Sequence, residues 1–359
     1  MYPSPSAAAL SVLAARLGET GRFDDHRGVV CVDLETTGLS GGAGTVGFIV
    51  GLGWFDHGAF ETCQYFLSRL PDERRLLASI AGAIRHKHTI ITFNGKSFDV
   101  SVMETRYAFH RLRSPLAGLR HVDLLHPGRH LWVGDESRLV SLERTVLGLR
   151  RVGDVPGAEI PGRYVAYLRG GDARPLAAVF EHNRLDLVSL GVLAGLACGL
   201  VRDGADATDR ASQALGLGRV YEKVGQYESA AECYRRAAQL GPPTRPTITP
   251  SASREADMEA PALALGRLAG IYRRLRRHAD AADTWERVLR LPRVPERLRR
   301  EASVALAVHH EHRVRDLPQA QRFAVTALEA ELQPARRRAV EHRLIRLQRK
   351  IDATAARMI

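Results

Sequence analysis

Residues 29–39, Val-Val-Cys-Val-Asp-Leu-Glu-Thr-Thr-Gly-Leu, form an apolar segment that contains two carboxylates one residue apart. Successive side chains of a β-strand point to opposite faces, so the segment predicts a buried strand with Asp33 and Glu35 on one face and Val32 and Leu34 on the other. Two neighbouring carboxylates on a buried strand repel each other and lose hydration. Any fold of this chain therefore has to supply this acid pair with a cation or with solvent.

Two interpretations of the acid pair remain open from this segment alone. A hard divalent cation would neutralise both groups, because carboxylate oxygens suit magnesium and manganese. Alternatively, the strand runs out into a solvated acidic turn, which is the simpler interpretation of an isolated Asp-x-Glu. The glycine-rich stretch at residues 40–45 does not indicate a nucleotide-binding phosphate loop, since it lacks Gly-Lys-Ser/Thr and precedes a strand. It predicts a turn that a nucleic-acid backbone can approach closely.

The remainder of the first half predicts an alternation of strands and helices. Two strands form a hairpin around residues 56–58, and helices and strands then alternate up to a long final helix. The first three strands suit an antiparallel meander, and the ends of the first and fourth strands would lie side by side. The predicted bounds are strands at 46–55, 59–67, 89–93 and 121–125, and helices at 71–85, 97–110, from 141, and 174–201.

Three further acidic residues and a histidine fall at suggestive places in this pattern. Asp99 lies in the first turn of a helix that Ser97 would cap, directly after the fourth strand. Asp123 lies inside the fifth strand. His182 and Asp186 are four residues apart and therefore share one face of the final helix.

Four sequence blocks together resemble the DEDD exonucleases of the ribonuclease H-like superfamily, and most closely their YprB-like branch. The resemblance covers residues 28–196. The blocks are Asp-Leu-Glu-Thr-Thr-Gly-Leu-Ser-Gly-Gly-Ala-Gly at 33–44, Asn-Gly-Lys-Ser-Phe-Asp at 94–99, His-Val-Asp-Leu-Leu at 121–125 and His-Asn-x-x-Asp at 182–186. The order of strands and helices is also that of the ribonuclease H-like fold. The resemblance implies an α/β domain with a mixed five-stranded sheet flanked by helices.

The resemblance implies that the chain hydrolyses phosphodiester bonds with two divalent metal ions, Mg²⁺ or Mn²⁺, as a 3′–5′ exonuclease. Asp33 would bridge both ions, and Glu35, Asp99 and Asp186 would complete their coordination. His182 would orient or deprotonate the attacking water. The usual patterns are Tyr-x-x-x-Asp or His-x-x-x-x-Asp, whereas this chain combines His with the shorter spacing, and Glu181 occupies the position of the longer one.

Four residues near these acids are candidate substrate-binding groups, namely Thr36, Asn94, Lys96 and Asp123. Asn94 and Lys96 would contact phosphate or a single-stranded 3′ end, although Asn94-Gly95 also fits ordinary turn chemistry. Asp123 would either line the substrate groove or form a hydrogen-bonded structural group.

The second half predicts an all-α tetratricopeptide-like domain. One repeat is recognised from Leu217 to Pro242, and further copies at 268–288 and 306–327. Residues 242–261 are rich in Pro, Ser and Thr and predict a mobile insertion. The predicted organisation is an N-terminal helical extension at 1–24, the ribonuclease H-like domain at 25–202, a linker at 203–212, the repeats at 213–333 and a basic capping helix at 334–359.

Composition limits the classes of function further. The net charge of +12 is compatible with nucleic acid as a partner. The four scattered cysteines predict neither a zinc site nor disulfides, and they favour a reduced, cytoplasmic protein. No basic residue precedes the first apolar stretch and no run of about 18 apolar residues exists, so neither a secretory signal nor a membrane span is predicted. The alternative to an enzyme is a non-catalytic scaffold whose repeats bind a protein partner.

Overall fold

A computed structural model describes residues 9, 10, 12, 13, 28–38, 42, 44–132, 138–240, 251–329 and 333–356. The chain divides into two units, Met1–Ala207 and Thr208–Ile359. Most of the predicted N-terminal extension lies outside the described residues, although Ala9, Leu10 and Leu13 are buried. Positions 40, 41 and 43 of the predicted glycine-rich turn also lie outside them.

The first unit is built on one five-stranded sheet in the order β3-β2-β1-β4-β5. The strands β1, β2 and β3 form an antiparallel meander, whereas β4 and β5 run parallel to β1. The sheet is mixed, as predicted, and the carboxyl ends of β1 and β4 lie on the same edge. The strands are β1 Val29–Thr36, β2 Gly47–Asp56, β3 Ala59–Phe66, β4 Thr89–Thr92 and β5 Arg120–Asp123.

Helices flank this sheet, and short irregular turns join them. The helices of the first unit are α1 Glu73–Ile84, α2 Asp99–Phe109, α3 Leu125–Leu131, α4 Leu139–Leu142, α5 Ile160–Leu168 and α6 Leu176–Asp203. Residues Leu70–Asp72, Gly157–Glu159 and Gly204–Ala207 form 3₁₀ turns, and Glu143–Leu147 form a π turn that extends α4. The N-cap of α2 is Phe98, so the predicted cap at Ser97 is wrong. The Ser97 hydroxyl instead donates to the carbonyl oxygen of Asn94, 3.2 Å away.

The core of the first unit lies between the sheet and these helices. Phe48 of β2 stacks on Tyr164 of α5 with ring centroids 4.0 Å apart, and the Tyr164 hydroxyl donates to the Leu67 carbonyl at 2.8 Å. A buried ion pair joins α1 to α2, since Arg106 donates to both carboxylate oxygens of Glu73 at 2.6 and 2.5 Å. These contacts fix the helices against the sheet that supports the polar cleft described below.

Helix α6 packs against β1 and β2. The stretch Arg174–Ala207, which includes α6, is long and apolar enough to cross a membrane by those two criteria alone. However, 56% of its most apolar window is buried inside the protein, as is usual for the core helix of a folded domain. The absence of a membrane span stays a prediction.

The second unit consists of helices that pack in consecutive pairs along the chain, as predicted for tetratricopeptide-like repeats. Gly218 of the first pair allows a close approach, because a Cβ atom there would lie 2.4 Å from the ring of Tyr234. The helices are α7 Ala211–Lys223, α8 Tyr227–Gln239, α9 Ser251–Arg274, α10 His278–Arg290, α11 Glu296–His309, α12 Leu317–Glu329 and α13 Pro334–Ala355, with a π turn at His310–Val314.

The predicted mobile insertion at 242–261 is wrong for its second half. Residues 241–250 lie outside the described part, but α9 begins at Ser251 and continues through Pro261. The anchor is Asp257, which is 1% exposed and accepts hydrogen bonds from the Ser212 backbone N–H at 2.9 Å and the Arg210 guanidinium at 2.8 Å. This buried carboxylate ties the start of α9 to α7.

Candidate active site

A cleft of about 160 Å³ beside the carboxyl end of β1 contains all four predicted metal-binding acids and the predicted water-orienting histidine. Asp33 and Glu35 reach it from β1, and Asp99 from the first turn of α2, directly after the neighbouring strand β4. His182 and Asp186 reach it from one face of α6. Residues 33 and 186 are far apart in sequence, so the parallel pairing of β1 with β4 and the packing of α6 on the sheet are what bring the acids together.

The acids of this cleft have raised pKa values because they are buried and lie near one another. Burial, together with the charges of Asp186, Asp99 and Asp154, raises the pKa of Glu35 to about 9, against an opposing effect of Arg151. Burial and the charges of Asp123 and Asp186 raise the pKa of Asp99 to about 7. Burial and mutual repulsion therefore both disfavour the ionised form of these acids unless a cation joins them.

Asp33 has its pKa raised well above the usual range, first by burial and then by the charges of Asp186, Glu35 and Asp99. One hydrogen bond acts in the opposite direction. Asn183 of α6 donates from Nδ2 to the Asp33 carboxylate at 2.7 Å, and its side-chain oxygen accepts a hydrogen bond from Gln64 of β3 at 2.8 Å.

The space for Asn183 is provided by a glycine in the middle strand. Gly51 lies opposite Asp33 in β1 and opposite Gln64 in β3. A Cβ atom on Gly51 would lie 2.3 Å from the side-chain oxygen of Asn183. Asp33, Gly51 and Gln64 thus form a row across three neighbouring strands. Asn183 joins Asp33 to Gln64 and lies over Gly51, where there is no room for a side chain.

Arg151, in the loop before α5, is a buried cation that contacts Asp186 of the cleft. Its guanidinium donates to both carboxylate oxygens of Glu143, at 2.7 and 2.5 Å, and to Asp154 at 3.2 Å. It also pairs with Asp186. Burial raises the pKa of Asp186, while Arg151 and His182 act in the opposite direction. Arg151 therefore supplies part of the positive charge that this acid needs.

His182 lines the cleft, and the Asp154 carboxylate contacts its ring. Its Nδ1 lies 2.6 Å from Asp154, and its Nε2 lies 3.6 Å from Asp186. A hydrogen bond from Nδ1 to Asp154 leaves Nε2 as the nitrogen that faces the cleft. Glu181 occupies the position of the histidine in the His-x-x-x-x-Asp pattern. Its side chain instead pairs with Arg184 at 2.6 Å on the outer face of α6, where it is 53% exposed.

The four predicted substrate-binding residues have different surroundings. Asp123 is 1% exposed and accepts from the backbone N–H groups of Asn94 at 2.7 Å, Lys96 at 3.0 Å and Leu125 at 3.1 Å. Of its two predicted roles, this geometry matches the hydrogen-bonded structural group. Asp123 fixes the turn before α2, and thereby the position from which Asp99 enters the cleft.

Of the other three, Asn94 adopts a left-handed conformation with φ of 65°, as turn chemistry would require. Thr36 lines the cleft, and its hydroxyl donates to the Gly38 carbonyl oxygen at 2.7 Å. Gly95 lies close to the site as well, because a Cβ atom there would lie 2.8 Å from the Asp99 carboxylate. The roles of Thr36, Asn94 and Lys96 in substrate binding stay predictions.

The donor chemistry of the cleft fits divalent metal ions. Among the described residues, no three His, Cys, Asp or Glu side chains are already gathered closely enough to hold a metal ion. Even so, Asp33, Glu35, Asp99 and Asp186 line one small space. Burial raises the pKa of each of them, and neighbouring carboxylates raise those of Asp33, Glu35 and Asp99 further. A hard cation bound among carboxylates relieves this repulsion.

Sequence reasoning missed several residues of this site. Asn183 stands between the two recognised residues of its motif, yet its amide gave no separate signal. Arg151 is one of 48 arginines, since only 4 of the 52 Lys and Arg residues are lysine. Asp154 lies in a loop, and Glu143 lies in the helical stretch after residue 141, where its carboxylate gave no separate signal. Only contacts between distant segments identify these residues.

Comparisons with known proteins match a part of each unit. Residues 30–198 match the RNase_H superfamily, and residues 214–243 match the tetratricopeptide repeat. One curated relative is the uncharacterized protein YprB of Bacillus subtilis (strain 168), which is 27% identical over 326 residues. The matched region covers 89% of this chain and 74% of the relative.

Proposed function

Because the chain is a YprB-like protein, with a ribonuclease H-like domain followed by tetratricopeptide-like repeats, we propose that it hydrolyses phosphodiester bonds of nucleic acid. A ribonuclease H-like fold indicates a nucleic-acid hydrolase that uses divalent metal ions. The specific proposal is a DEDD-type 3′–5′ exonuclease that acts on a single-stranded 3′ end. The observation that supports it is the convergence of Asp33, Glu35, Asp99, Asp186 and His182 on one cleft.

In this proposal the four carboxylates hold two divalent ions, Mg²⁺ or Mn²⁺, whose chemistry is to activate water and to stabilise negative charge on phosphate oxygens. The other site residues position these carboxylates. Asn183 fixes one oxygen of Asp33, and the Asp123-bound turn fixes the start of α2 with Asp99. Arg151 holds Asp186 and compensates part of its charge.

His182 is the group proposed to orient the attacking water or to accept its proton. Its Nδ1 is engaged by Asp154, and its Nε2 is directed to the side of the cleft where Asp186 lies. A histidine in its neutral form has one nitrogen available as a base near neutral pH. Because Nδ1 pairs with Asp154, Nε2 is the nitrogen proposed to act on the water.

Incubation with end-labelled DNA and RNA oligonucleotides in Mg²⁺ or Mn²⁺ tests this proposal. The wild type is expected to shorten a substrate from its 3′ end, and Asp33→Asn is expected to abolish cleavage while the protein stays folded. Glu181→Gln is the matched control, because it removes a carboxylate from the exposed face of the same helix and should leave activity unchanged. Equal cleavage by wild type and Asp33→Asn would refute the proposed site.

The same experiment separates the enzyme from a non-catalytic scaffold. A scaffold would cleave nothing under any of these conditions. It would also fail to bind manganese at the acidic cleft, which a titration comparing the wild type with Asp33→Asn measures directly. Degradation from the 5′ end, or internal cleavage, would preserve the hydrolytic function and overturn the proposed polarity.

A further inference from the structure

Almost all of the net positive charge of this protein belongs to its second unit. Residues 208–359 contain 29 Lys and Arg against 18 Asp and Glu, which is a net charge of +11 out of the +12 of the whole chain. Residues 1–207 contain 23 basic and 22 acidic residues, a net charge of +1. The unit with the acidic cleft therefore has little net charge with which to attract a polyanion, whereas the helical unit has a large excess.

Part of this excess lines a groove of about 860 Å³ inside the second unit. Its walls come from α9, α10, α11, α13 and the π turn after α11. Glu301 is the acidic residue among its described lining residues, and it already pairs with Arg297 at 2.9 Å. Four arginines line the groove, namely Arg273, Arg300, Arg313 and Arg336.

Three histidines, His278, His309 and His312, also line this groove. Burial is the largest cause that lowers the pKa of His309. The neighbouring His310, His278 and Arg313 lower it further, and Asp283 acts in the opposite direction. Because burial is the largest cause of this shift, the positive character of the groove rests on its arginines.

The remaining lining is apolar and includes one aromatic side chain. Small residues of α9 and α10, such as Ala269, Gly270 and Ala281, leave room between the helices. Trp285 of α10 lies in the same groove and is half-buried. Guanidinium groups match phosphate oxygens, and an indole ring offers a flat face on which a nucleic-acid base can stack.

We propose that this groove is a second nucleic-acid site, which binds single-stranded nucleic acid through its phosphates and one stacked base. Arg273, Arg313 and Arg336 would contact phosphates, and Trp285 would stack on a base. The positive charge alone would also suit an acidic peptide, but the indole favours a ligand with aromatic faces. The inference rests on the proposed function for the identity of the polyanion, and it assigns to the repeats a role in holding substrate.

Binding of the full-length protein to a fluorescently labelled oligothymidylate, measured by anisotropy in EDTA, tests the groove without cleavage. The groove variant combines Arg273→Gln, Arg313→Gln and Arg336→Gln, all at exposed positions. The control variant combines Arg287→Gln, Arg293→Gln and Arg338→Gln, which remove the same charge from exposed positions outside the groove.

The groove variant is expected to bind at least about 10-fold more weakly than the control. Each lost phosphate contact should also lower the slope of log affinity against log salt by about 0.7, hence by roughly 2 for the three substitutions. Equal loss of affinity in both variants would mean that only the general charge of the unit matters and would overturn the inference. Unchanged binding by the groove variant would overturn it as well.

The role of Trp285 separates nucleic acid from an acidic peptide. Trp285→Leu should weaken oligothymidylate binding about fivefold or more, while leaving binding of an abasic phosphodiester of equal length unchanged. Trp285→Phe, which keeps an aromatic face, should restore most of the affinity. If the groove variant loses polyglutamate binding but keeps oligothymidylate binding, the occupant is an acidic peptide and the inference fails.

This inference and the proposed function can fail independently. Wild-type protein that cleaves oligonucleotides, with a groove variant that binds them normally, would refute the groove alone. Conversely, groove-dependent binding in EDTA by a protein that cleaves nothing with any metal would support the groove and refute the nuclease.

Discussion

Asn183 donates a hydrogen bond from Nδ2 to the Oδ2 atom of Asp33 at 2.7 Å and thereby joins residues 150 positions apart in sequence. The same Nδ2 lies 3.3 Å from the Asp33 carbonyl oxygen, and Oδ1 accepts from Gln64 at 2.8 Å. Asn183 is completely buried. Because its polar atoms are engaged on both sides, it holds the carboxylate of Asp33 in one orientation.

Replacing Asn183 with Ala is expected to lower nuclease activity about 10- to 100-fold, as is usual when a group that orients a metal ligand is lost. The reason is that the Asp33 carboxylate becomes free to rotate. Stability should fall by about 1–3 kcal/mol, since Gln64 loses one of its two acceptors inside the protein. Initial rates in saturating Mg²⁺ and a urea unfolding curve measure the two effects. Full activity in a folded Asn183→Ala protein would show that Asp33 needs no such support.

Gly51→Ala is expected to break the same hydrogen bond indirectly. The new Cβ atom would lie 2.3 Å from Oδ1 of Asn183 and 2.8 Å from the Leu187 side chain, so Asn183 has to move away from Asp33. We expect a loss of about 1–3 kcal/mol in unfolding free energy, as for other overpacked sites, together with reduced cleavage.

Gly82→Ala is the matched control for this substitution. Gly82 lies within α1, and nothing lies within 4 Å of a Cβ atom placed there. Alanine should stabilise this helix by up to about 1 kcal/mol. If Gly51→Ala is as stable and as active as Gly82→Ala, the row from Asp33 to Gln64 does not constrain the site.

Asp154→Ala is expected to lower kcat about 10- to 100-fold, because His182 loses the partner of its Nδ1. The interaction is 2.6 Å long and both side chains are mostly buried, at 14% and 22% exposure. In a double-mutant cycle, the effects of Asp154→Ala and His182→Ala should be strongly non-additive, since each substitution disables the same unit. Asp172→Ala, at a more exposed ion pair of the same unit, should change kcat little. Additive effects would mean that Asp154 acts independently of His182.

The sheet and the four acids could be predicted because their signals are local or recur in order along the chain. The alternation in β1, the acids at its end and the four-residue spacing of His182 and Asp186 in α6 are visible in short windows. The mixed sheet then followed from the order of elements and from the resemblance. The helical repeats were recognisable because small residues recur where paired helices approach each other, as at Gly218 against Tyr234.

The supporting residues could not be predicted because their roles depend on contacts between distant segments. Arg151 contacts Asp186 across 35 positions, and Asn183 contacts Gln64 across 119. The mobile insertion around Asp257 was predicted wrongly for the same reason, because the contacts that order this segment come from residues distant in sequence. The Pro-, Ser- and Thr-rich composition near it indicates a mobile segment, whereas a buried carboxylate bound to Ser212 and Arg210 fixes a helix there.

The C-terminal helix α13 is expected to depend on one buried acid, Glu311. The side chain of Glu311 is fully buried and accepts hydrogen bonds from three cations of α13, Arg343 at 2.6 Å, Arg346 at 2.8 Å and Lys350 at 2.8 Å. Glu311→Gln should destabilise the docking of α13 by about 1–3 kcal/mol, the usual range for hydrogen bonds to charged groups. Amide hydrogen exchange within α13 measures this effect. Glu341→Gln, at an exposed pair with Arg337, should change it by less than about 1 kcal/mol.

The same acid makes the docking of α13 dependent on pH. Although burial alone would raise the pKa of Glu311, hydrogen bonds from Arg346 and Lys350 and the charges of Arg346 and His312 lower it to about 2. An unfolded glutamate titrates near 4.3. The folded state therefore binds this proton more weakly than the unfolded state. The stabilisation is fully present above about pH 5 and declines as the pH falls towards 2. Hydrogen exchange of α13 should thus accelerate, relative to that of α7, as the pH is lowered through this window in the wild type. In Glu311→Gln the ratio of the two rates should stay constant, and a wild-type ratio that also stays constant would contradict the assignment.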